Sequence, residues 1–248
     1  MGGRVQGLAG MTGALAQFGA AADKSANLRR IEAFAQQASK SGASMLFLPE
    51  YSMFYAKENR RSLMRQAAEP LDGPFAAALG AVARRHGLWL ATGLYEAADG
   101  LPYNTVAVFD DAGALRGSYR KQRLYDAFGC RESDECRAGG RPFTPIPTPV
   151  GTLGIITCFE LRFPALAAAQ RAAGADVLFV PAGWVQGKNK LLHWDTLLRA
   201  RAIENGMAVI GADQFADGLF IGHSAAYAPD GTALGALQAG EGLLTITL

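Results

Sequence analysis

Cysteine, histidine and net charge are all scarce in this sequence. Its 248 residues carry a formal net charge of +2 and include three histidines, which are His86, His193 and His223. Residues so dispersed do not indicate a metal site. The three cysteines, Cys130, Cys136 and Cys158, are odd in number and are not closely spaced, which argues against a disulfide framework or a cysteine-rich zinc site. We interpret Cys130 and Cys136 as reduced thiols, with a disulfide between them as the minor alternative.

Long apolar runs and basic clusters are also missing. No uninterrupted apolar stretch reaches the roughly 18 residues that a membrane-spanning helix needs, so no membrane partner is expected. The basic residues are scattered and form no stripe, which gives no case for nucleic acid. Gln6, Gln17 and several glycines interrupt the apolar N-terminal stretch, so we do not read it as a signal peptide and expect a cytoplasmic protein. Residues 1–10 are interpreted as an extension outside a single domain at 11–248.

Short apolar runs alternate with helical patterns along the chain. Half of the residues are hydrophobic, which is sufficient for one large α/β core. The predicted helices are 27–39, 74–86, 164–173 and 191–204. The predicted strands are 13–18, 45–50, 88–96, 104–110, 115–121, 152–158, 176–182, 207–214 and 223–231. This alternation favours an α/β fold, and the short turns between some strands favour mixed sheets. The similar rhythm of the two halves suggests two sheets packed together.

Three predicted strands end in residues with reactive side chains. Cys158 ends one, where a tight turn and a helix begun by Pro164 follow, and backbone N–H groups near such a helix start can stabilise an oxyanion. Glu50 ends a second, and burial disfavours the charged form of a carboxyl group, which suits a general base. Lys121 ends a third and can stabilise an oxyanion or lower the pKa of a thiol. Judged singly, each residue is more often an inert thiol, a salt-bridging carboxylate or a solvated charge.

Taken together, the three segments resemble the signatures of the nitrilase (carbon–nitrogen hydrolase) superfamily, in the order Glu, Lys, Cys. The sequence CFELRFP (158–164) is similar to the Cys-Tyr-Asp-hydrophobic-Arg-Phe-Pro motif of its amidase and ω-amidase-like branch. HWDTLLRARAIENG (193–206) and GHSAAYAPDGTALG (222–235) resemble a helix and a hairpin of the family. The resemblance extends from about residue 13 to the C-terminus.

The resemblance implies a four-layer αββα sandwich of two mixed β-sheets, assembled as a homodimer or a larger homo-oligomer. It implies catalysis by Glu50, Lys121 and Cys158, with Glu132 as the family's second glutamate and with neither metal nor organic cofactor. The expected reaction is release of ammonia from a small amide, which could carry a carboxylate, through a cysteine acyl-thioester. Weaker candidates for oxyanion or substrate binding are Phe159, Glu160, Arg162 and Trp184, with Glu160 able to pair with Arg162.

Three alternatives remain open at this point. An N-carbamoyl amino-acid amidohydrolase would use the same residues, and a true nitrilase ranks lower because Trp-Glu-Asn typically follows its cysteine. The chain could also be a binding or scaffold protein that has lost activity on the same fold. Phe159 and Glu160 replace the family's Tyr and Asp, and residues 184–192 also depart from its pattern, so the substrate is less certain than the chemistry. A papain-like pairing of Cys158 with His223 explains the cysteine less well.

Overall fold

A computed structural model describes residues 10–140 and 143–248 of the chain. Its fourteen strands, β1 to β14, are Thr12–Gln17, Met45–Phe47, Trp89–Glu96, Tyr103–Phe109, Leu115–Arg120, Ile146–Thr148, Gly151–Ile155, Val177–Ala182, Ala208–Asp213, Phe215–Ala216, Phe220–Ile221, Ala225–Tyr227, Ala233–Ala236 and Gly242–Thr247. The helices α1 to α5 are Lys24–Lys40, Arg60–Ala67, Pro74–His86, Pro164–Ala172 and Lys190–Asn205. Two short 3₁₀ segments span Glu132–Asp134 and Cys158–Arg162.

Most of the strands form two six-stranded sheets. The first has the order β14-β1-β2-β3-β4-β5 and the second has the order β13-β12-β9-β8-β7-β6, while β10 and β11 make a separate pair. In each sheet the inner strands run parallel and the outer ones antiparallel, as β1 with β2 and β1 with β14 show. Both sheets are therefore mixed, as the sequence predicts.

The two sheets pack face to face, with helices on their outer sides. Phe47 of the first sheet contacts Phe179 of the second, with ring centroids 4.9 Å apart in a shared apolar core. Ile31 and Leu79 belong to a cluster in which α1 and α3 cover the first sheet, and Leu198 belongs to one in which α5 covers the second. The predicted αββα sandwich is confirmed, and burial of both faces of each sheet explains why strands such as β8 are apolar throughout.

Local signals in the sequence account for several element boundaries. The Asp23 side chain accepts a hydrogen bond from the Ala26 N–H at 3.0 Å and caps α1. Pro74 opens α3, and Gly87 ends it with a φ of +60°, a left-handed conformation that glycine adopts at low cost. The predicted bounds of α3, 74–86, therefore coincide with those of the structure.

Other boundaries differ from the prediction. The predicted strands 45–50 and 152–158 end earlier, at Phe47 and Ile155, so Glu50 and Cys158 lie just beyond regular sheet pairing. Helix α2 was not predicted, because the sequence RRSLMRQA is mostly polar and shows little apolar periodicity. No helix in the described part of the chain is long and apolar enough to cross a membrane. The prediction about residues 1–10 falls mainly on residues 1–9, which lie outside the described residues.

Candidate active site

Three polar residues that follow strand ends meet between the two sheets. Glu50 follows β2, Lys121 follows β5 directly, and Cys158 follows β7 of the second sheet. The side chains of Glu50 and Lys121 are completely shielded from solvent, and Cys158 is 8% exposed. The fold therefore brings together the residues that the sequence singles out, although more than thirty positions separate each from the next.

Lys121 is the centre of a buried ionic network. Its Nζ lies 2.9 Å from Oε1 of Glu50 and 2.8 Å from Oε2 of Glu132. Glu132 also accepts a hydrogen bond from the Tyr125 N–H at 2.7 Å, and its side chain is 3% exposed, so it is not an ordinary surface glutamate. One ammonium group thus contacts two carboxyl groups whose charged forms burial alone would disfavour.

Three further groups, which no pattern in the sequence indicates, position the glutamates. Nδ2 of Asn104 donates to Glu50 at 2.6 Å and to Glu132 at 3.0 Å. The backbone N–H of Gly183 donates to Oε2 of Glu50 at 2.8 Å. Gly93 packs against Glu50 so closely that a Cβ would lie 2.7 Å from the Glu50 Cα, which requires glycine. The carboxylate of Glu50 is consequently held on both oxygens.

The ionisation of the network follows from burial and charge. Burial alone would lower the pKa of Lys121, but the carboxylates of Glu132 and Glu50 outweigh this effect and raise it well above 10.5. Burial would raise the pKa of Glu132, but the ammonium group of Lys121 outweighs it and the net direction is downward. Lys121 is therefore a stable cation and Glu132 a stable anion at neutral pH.

Cys158 begins the 3₁₀ segment with a φ of +50°, a left-handed conformation that is uncommon outside glycine. Such strain is concentrated at functional sites, where the surrounding structure holds it in place. Burial raises the pKa of the thiol, and the charge of Glu50 raises it further, while Lys121 lowers it. Lys121 thus lowers the thiol pKa as the sequence predicts, but burial and Glu50 raise it by more. The resting group is therefore a protonated thiol.

A cavity of about 580 Å³ opens onto the network. Cys158, Lys121 and Glu132 all reach its wall. Phe159, Arg162 and Trp184 also line it, and Val185 and Lys190 show that part of the divergent segment 184–192 borders it. The remaining wall residues include Tyr51, Arg60, Tyr125, Gly183 and Phe220. A cavity of this size accommodates a small molecule.

Glu160 and Arg162 do not pair with each other but contact different groups, so the pairing suggested from the sequence is wrong. Glu160 is fully buried and accepts hydrogen bonds from the Tyr119 hydroxyl at 2.8 Å and from backbone N–H groups, which are those of Gln122, Arg123 and Thr157. It is not among the residues that line the cavity. The guanidinium of Arg162 instead lies over the ring of Trp184, 4.9 Å from its centroid. The carboxylate of Glu160 therefore holds the loop after Lys121.

The remaining cysteines and histidines are distributed over the molecule. Cys130 is exposed, Cys136 is buried, and both are free thiols, as the main interpretation of the sequence has it. His86 pairs with Glu32, and Nδ1 of His193 lies 3.3 Å from Arg162. His223 is not among the residues that line the cavity with Cys158. Among the described residues, no group of three or more histidine, cysteine, aspartate or glutamate side chains could hold a metal ion.

Comparison with known proteins shows the family of the chain. Residues 12–248 match the family model of the carbon–nitrogen hydrolases. The chain belongs to the carbon–nitrogen hydrolase family. This hydrolase is 33% identical to the deaminated glutathione amidase of Mus musculus over 247 residues, covering 93% of the chain and 75% of that protein. It is 35% identical to the deaminated glutathione amidase of Yersinia enterocolitica over 198 residues, covering 76% of the chain and 68% of that protein.

Solved structures resemble the hydrolase along nearly its whole length. The amidase from Nesterenkonia sp. has a TM-score of 0.83 at 28% identity, covering 99% of this chain and 93% of that one. The NitFhit protein of C. elegans has a TM-score of 0.87 at 28% identity, covering 98% of this chain and 62% of that one. The hydrolase thus spans less than two thirds of NitFhit. These relatives place it in the amidase branch of the family.

Proposed function

We propose that this hydrolase releases ammonia from a small amide, using Cys158 as nucleophile, Glu50 as general base and Lys121 as oxyanion stabiliser. The observation that supports this most is the buried network in which Glu50 and Lys121 are joined at 2.9 Å beside the cavity that Cys158 lines. Each member alone has an ordinary structural explanation, whereas all three at one cavity provide a nucleophile, a base and a fixed positive charge.

In the first half of the reaction the substrate carbonyl enters the cavity beside Cys158. Because burial and Glu50 keep the thiol protonated at rest, Glu50 takes its proton as the sulfur attacks. The Lys121 ammonium and the Phe159 N–H stabilise the tetrahedral oxyanion. Glu50 then gives the proton to the leaving nitrogen, the C–N bond breaks, and ammonia departs from the acyl-thioester.

Water completes the cycle in the second half. Glu50 removes a proton from a water molecule that attacks the thioester carbonyl, and Glu132 holds Lys121 in place throughout. Collapse of the second tetrahedral intermediate releases the carboxylic acid and returns the proton to the Cys158 sulfur. The side chains of this chain supply every proton transfer in the scheme.

The cavity wall supports an amide that also carries a carboxylate. Arg162 and Lys190 both line it, and neither has an ion-pair partner among the residues that the structure describes. The ammonium of Lys190 lies 4.7 Å from the Phe128 ring centroid and donates to the Tyr125 hydroxyl at 3.3 Å. Two unpaired cations beside a nucleophile would bind a substrate anion through charge-assisted hydrogen bonds.

Fluoroacetamide gives a direct test of the nucleophile. Structures of glutamate-to-glutamine mutants of the Nesterenkonia amidase show acrylamide or the acetamide moiety of fluoroacetamide added to the active-site cysteine. We expect fluoroacetamide to label Cys158 of a Glu50→Gln variant in preference to Cys130 and Cys136, and a Cys158→Ala variant to lose turnover. A screen for ammonia release across amides, N-carbamoyl amino acids and nitriles would identify the substrate class. Release of carbon dioxide with ammonia would favour the carbamoyl alternative, and no turnover of any class would favour a binding protein.

The assembly and the location of the protein stay predictions. The resemblance implies a homodimer or a larger homo-oligomer, and the sequence favours the cytoplasm. Analytical ultracentrifugation of the full chain would test the first of these, since a monomer at micromolar concentration would contradict it.

A further inference from the structure

Asp213 is a buried carboxyl group that the proposed mechanism does not use. It is the last residue of β9, and its side chain has no solvent exposure. Its Oδ1 accepts a hydrogen bond from the Trp184 N–H at 2.7 Å. Its Oδ2 has no hydrogen-bond partner in the part of the chain that the structure describes. A buried oxygen without a partner is uncommon and calls for a physical explanation.

The bond to Trp184 connects Asp213 with the candidate active site. Two consecutive N–H groups at the end of β8 bind two carboxyl groups, with Gly183 donating to Glu50 at 2.8 Å and Trp184 donating to Asp213. The indole of Trp184 forms part of the cavity wall and donates to the Lys190 carbonyl at 2.9 Å. Asp213 therefore fixes the segment that sets both the orientation of the base and the shape of the cavity.

The charges around Asp213 disfavour an anion at this position. The titratable groups that influence it most directly are Glu50 and the Cys158 thiol, and neither is a cation. Lys121, the buried cation of the site, is already shared between Glu50 and Glu132. Among the described residues, Asp213 forms no ion pair. For an ionised Asp213, only the backbone N–H groups of Trp184, Gln214 and Gly222 would offset the cost of desolvation, and none of them carries a charge.

We propose that Asp213 is a positioning residue that carries a proton on Oδ2 and holds the Gly183–Trp184 segment against Glu50 through its uncharged carboxyl group. Burial raises the pKa of Asp213 well above 3.8, and the charge of Glu50 adds to this change, although the backbone N–H groups of Trp184, Gln214 and Gly222 oppose it. An uncharged group at this place also avoids a third negative charge near Cys158 when the sulfur loses its proton. The proposal depends on the proposed function only for its kinetic readout.

Infrared spectroscopy and cysteine labelling test the protonation state without any turnover. At neutral pH, the difference spectrum between the wild type and Asp213→Asn should contain the C=O stretch of a protonated carboxylic acid. The pH profile of Cys158 alkylation by N-ethylmaleimide, which is not a primary amide, should be unchanged in this variant, because the Asn side chain replaces an equally uncharged group. Asp217→Asn, on the exposed turn that follows, is the matched control. A carboxylate band instead, or a profile moved to lower pH in Asp213→Asn, would overturn the proposal.

Kinetics of ammonia release test the positioning role. Asp213→Asn should keep kcat within about threefold of the wild type, because its side-chain oxygen can still accept the Trp184 N–H. Asp213→Ala should lower kcat by about tenfold to a hundredfold and change KM, since both Glu50 and Trp184 would move. Wild-type kinetics in a folded Asp213→Ala protein would contradict this role. If that variant does not fold, the Asn variant and the infrared band still decide the question.

Discussion

The Lys121 ammonium lies 2.8 Å from the Glu132 carboxylate, and the two side chains are 0% and 3% exposed. Burial removes both charges from water, which costs free energy. The ion pair offsets this cost only if its geometry is good and further hydrogen bonds satisfy both groups. Asn104 and the Tyr125 N–H supply those bonds on the Glu132 side, at 3.0 and 2.7 Å. In the proposed mechanism, Glu132 therefore acts through the lysine that it holds.

Replacing Lys121 with Met should affect both stability and activity. It would leave Glu50 and Glu132 buried without a cation, which should lower the free energy of unfolding by about 3–5 kcal/mol. Loss of the positive charge at the oxyanion should lower kcat by about a hundredfold or more. Urea denaturation and ammonia release measure the two effects.

The exposed Lys188 provides a matched control, since Lys188→Met removes the same charge from the surface. A double variant with Lys121→Met and Glu132→Gln should be less destabilised than the sum of the single changes, because the second change removes one unpaired carboxylate. Additive losses would contradict the coupling between the two residues.

The stability of the protein should depend on the ionisation of Glu132 in acid. Lys121 lowers the pKa of this carboxyl group in the folded state, so the folded protein holds its proton less tightly than the unfolded chain does. The resulting stabilisation is present above the ordinary value of 4.5 and is lost as the pH falls through the lowered folded-state pKa. Glu132→Gln should therefore be less stable than the wild type at neutral pH, and the difference should shrink in acid.

Thermal unfolding from pH 7 downward would test this dependence. Glu58→Gln is the control, because Glu58 lies exposed on the surface. A difference between the wild type and Glu132→Gln that stays constant over the whole range would show that ionisation of Glu132 contributes nothing to stability.

The sequence predicts those parts of the site that follow strongly apolar strands. Glu50, Lys121 and Cys158 are conspicuous because each ends an apolar or β-rich run, but their assignment to one site came from the resemblance of the three segments to the family signatures. The α/β class and the mixed sheets follow from the alternation of the same runs and the short turns between some of them. These signals are local and need no knowledge of which strands become neighbours.

Contacts between residues far apart in the chain could not be predicted in this way. Asn104 lies in β4 and reaches Glu50, 54 positions earlier, while the Gly183 N–H reaches it from 133 positions later. Asp213 and Lys190 were missed for the same reason, since nothing in strand or helix periodicity identifies the elements that face one cavity. The sequence suggested an Arg162–Glu160 pair because the residues are close in the chain, whereas burial directs Glu160 towards Tyr119.

Glu160→Gln should weaken the loop that follows Lys121. The Glu160 carboxylate accepts hydrogen bonds from the Gln122 and Thr157 N–H groups at 2.7 Å, one on each oxygen. An amide nitrogen in place of either oxygen would face a donor, so we expect a loss of about 1–3 kcal/mol in the free energy of unfolding. Denaturation measures this loss, with Glu58→Gln as control. Unchanged stability would show that the loop does not depend on these bonds.

Lys190 should set the preference for amides that carry a carboxylate. Its ammonium and the Arg162 guanidinium both line the cavity and repel each other, and burial together with Arg162 lowers the pKa of Lys190. A substrate carboxylate would relieve this repulsion. Lys190→Met should therefore raise KM for an ω-amide of a dicarboxylic acid by about tenfold to a hundredfold, while a neutral aliphatic amide changes little.

Steady-state ammonia release with both substrates measures that preference, and Lys188→Met, two residues away on the exposed side, serves as the control. Methionine keeps most of the length of the lysine side chain and can still pack against Phe128, so loss of packing alone would affect both substrates equally. An equal rise in KM for the neutral and the charged amide would therefore assign Lys190 to the shape of the cavity and leave the carboxylate to another residue. A rise restricted to the charged amide would assign its recognition to the Lys190 ammonium group.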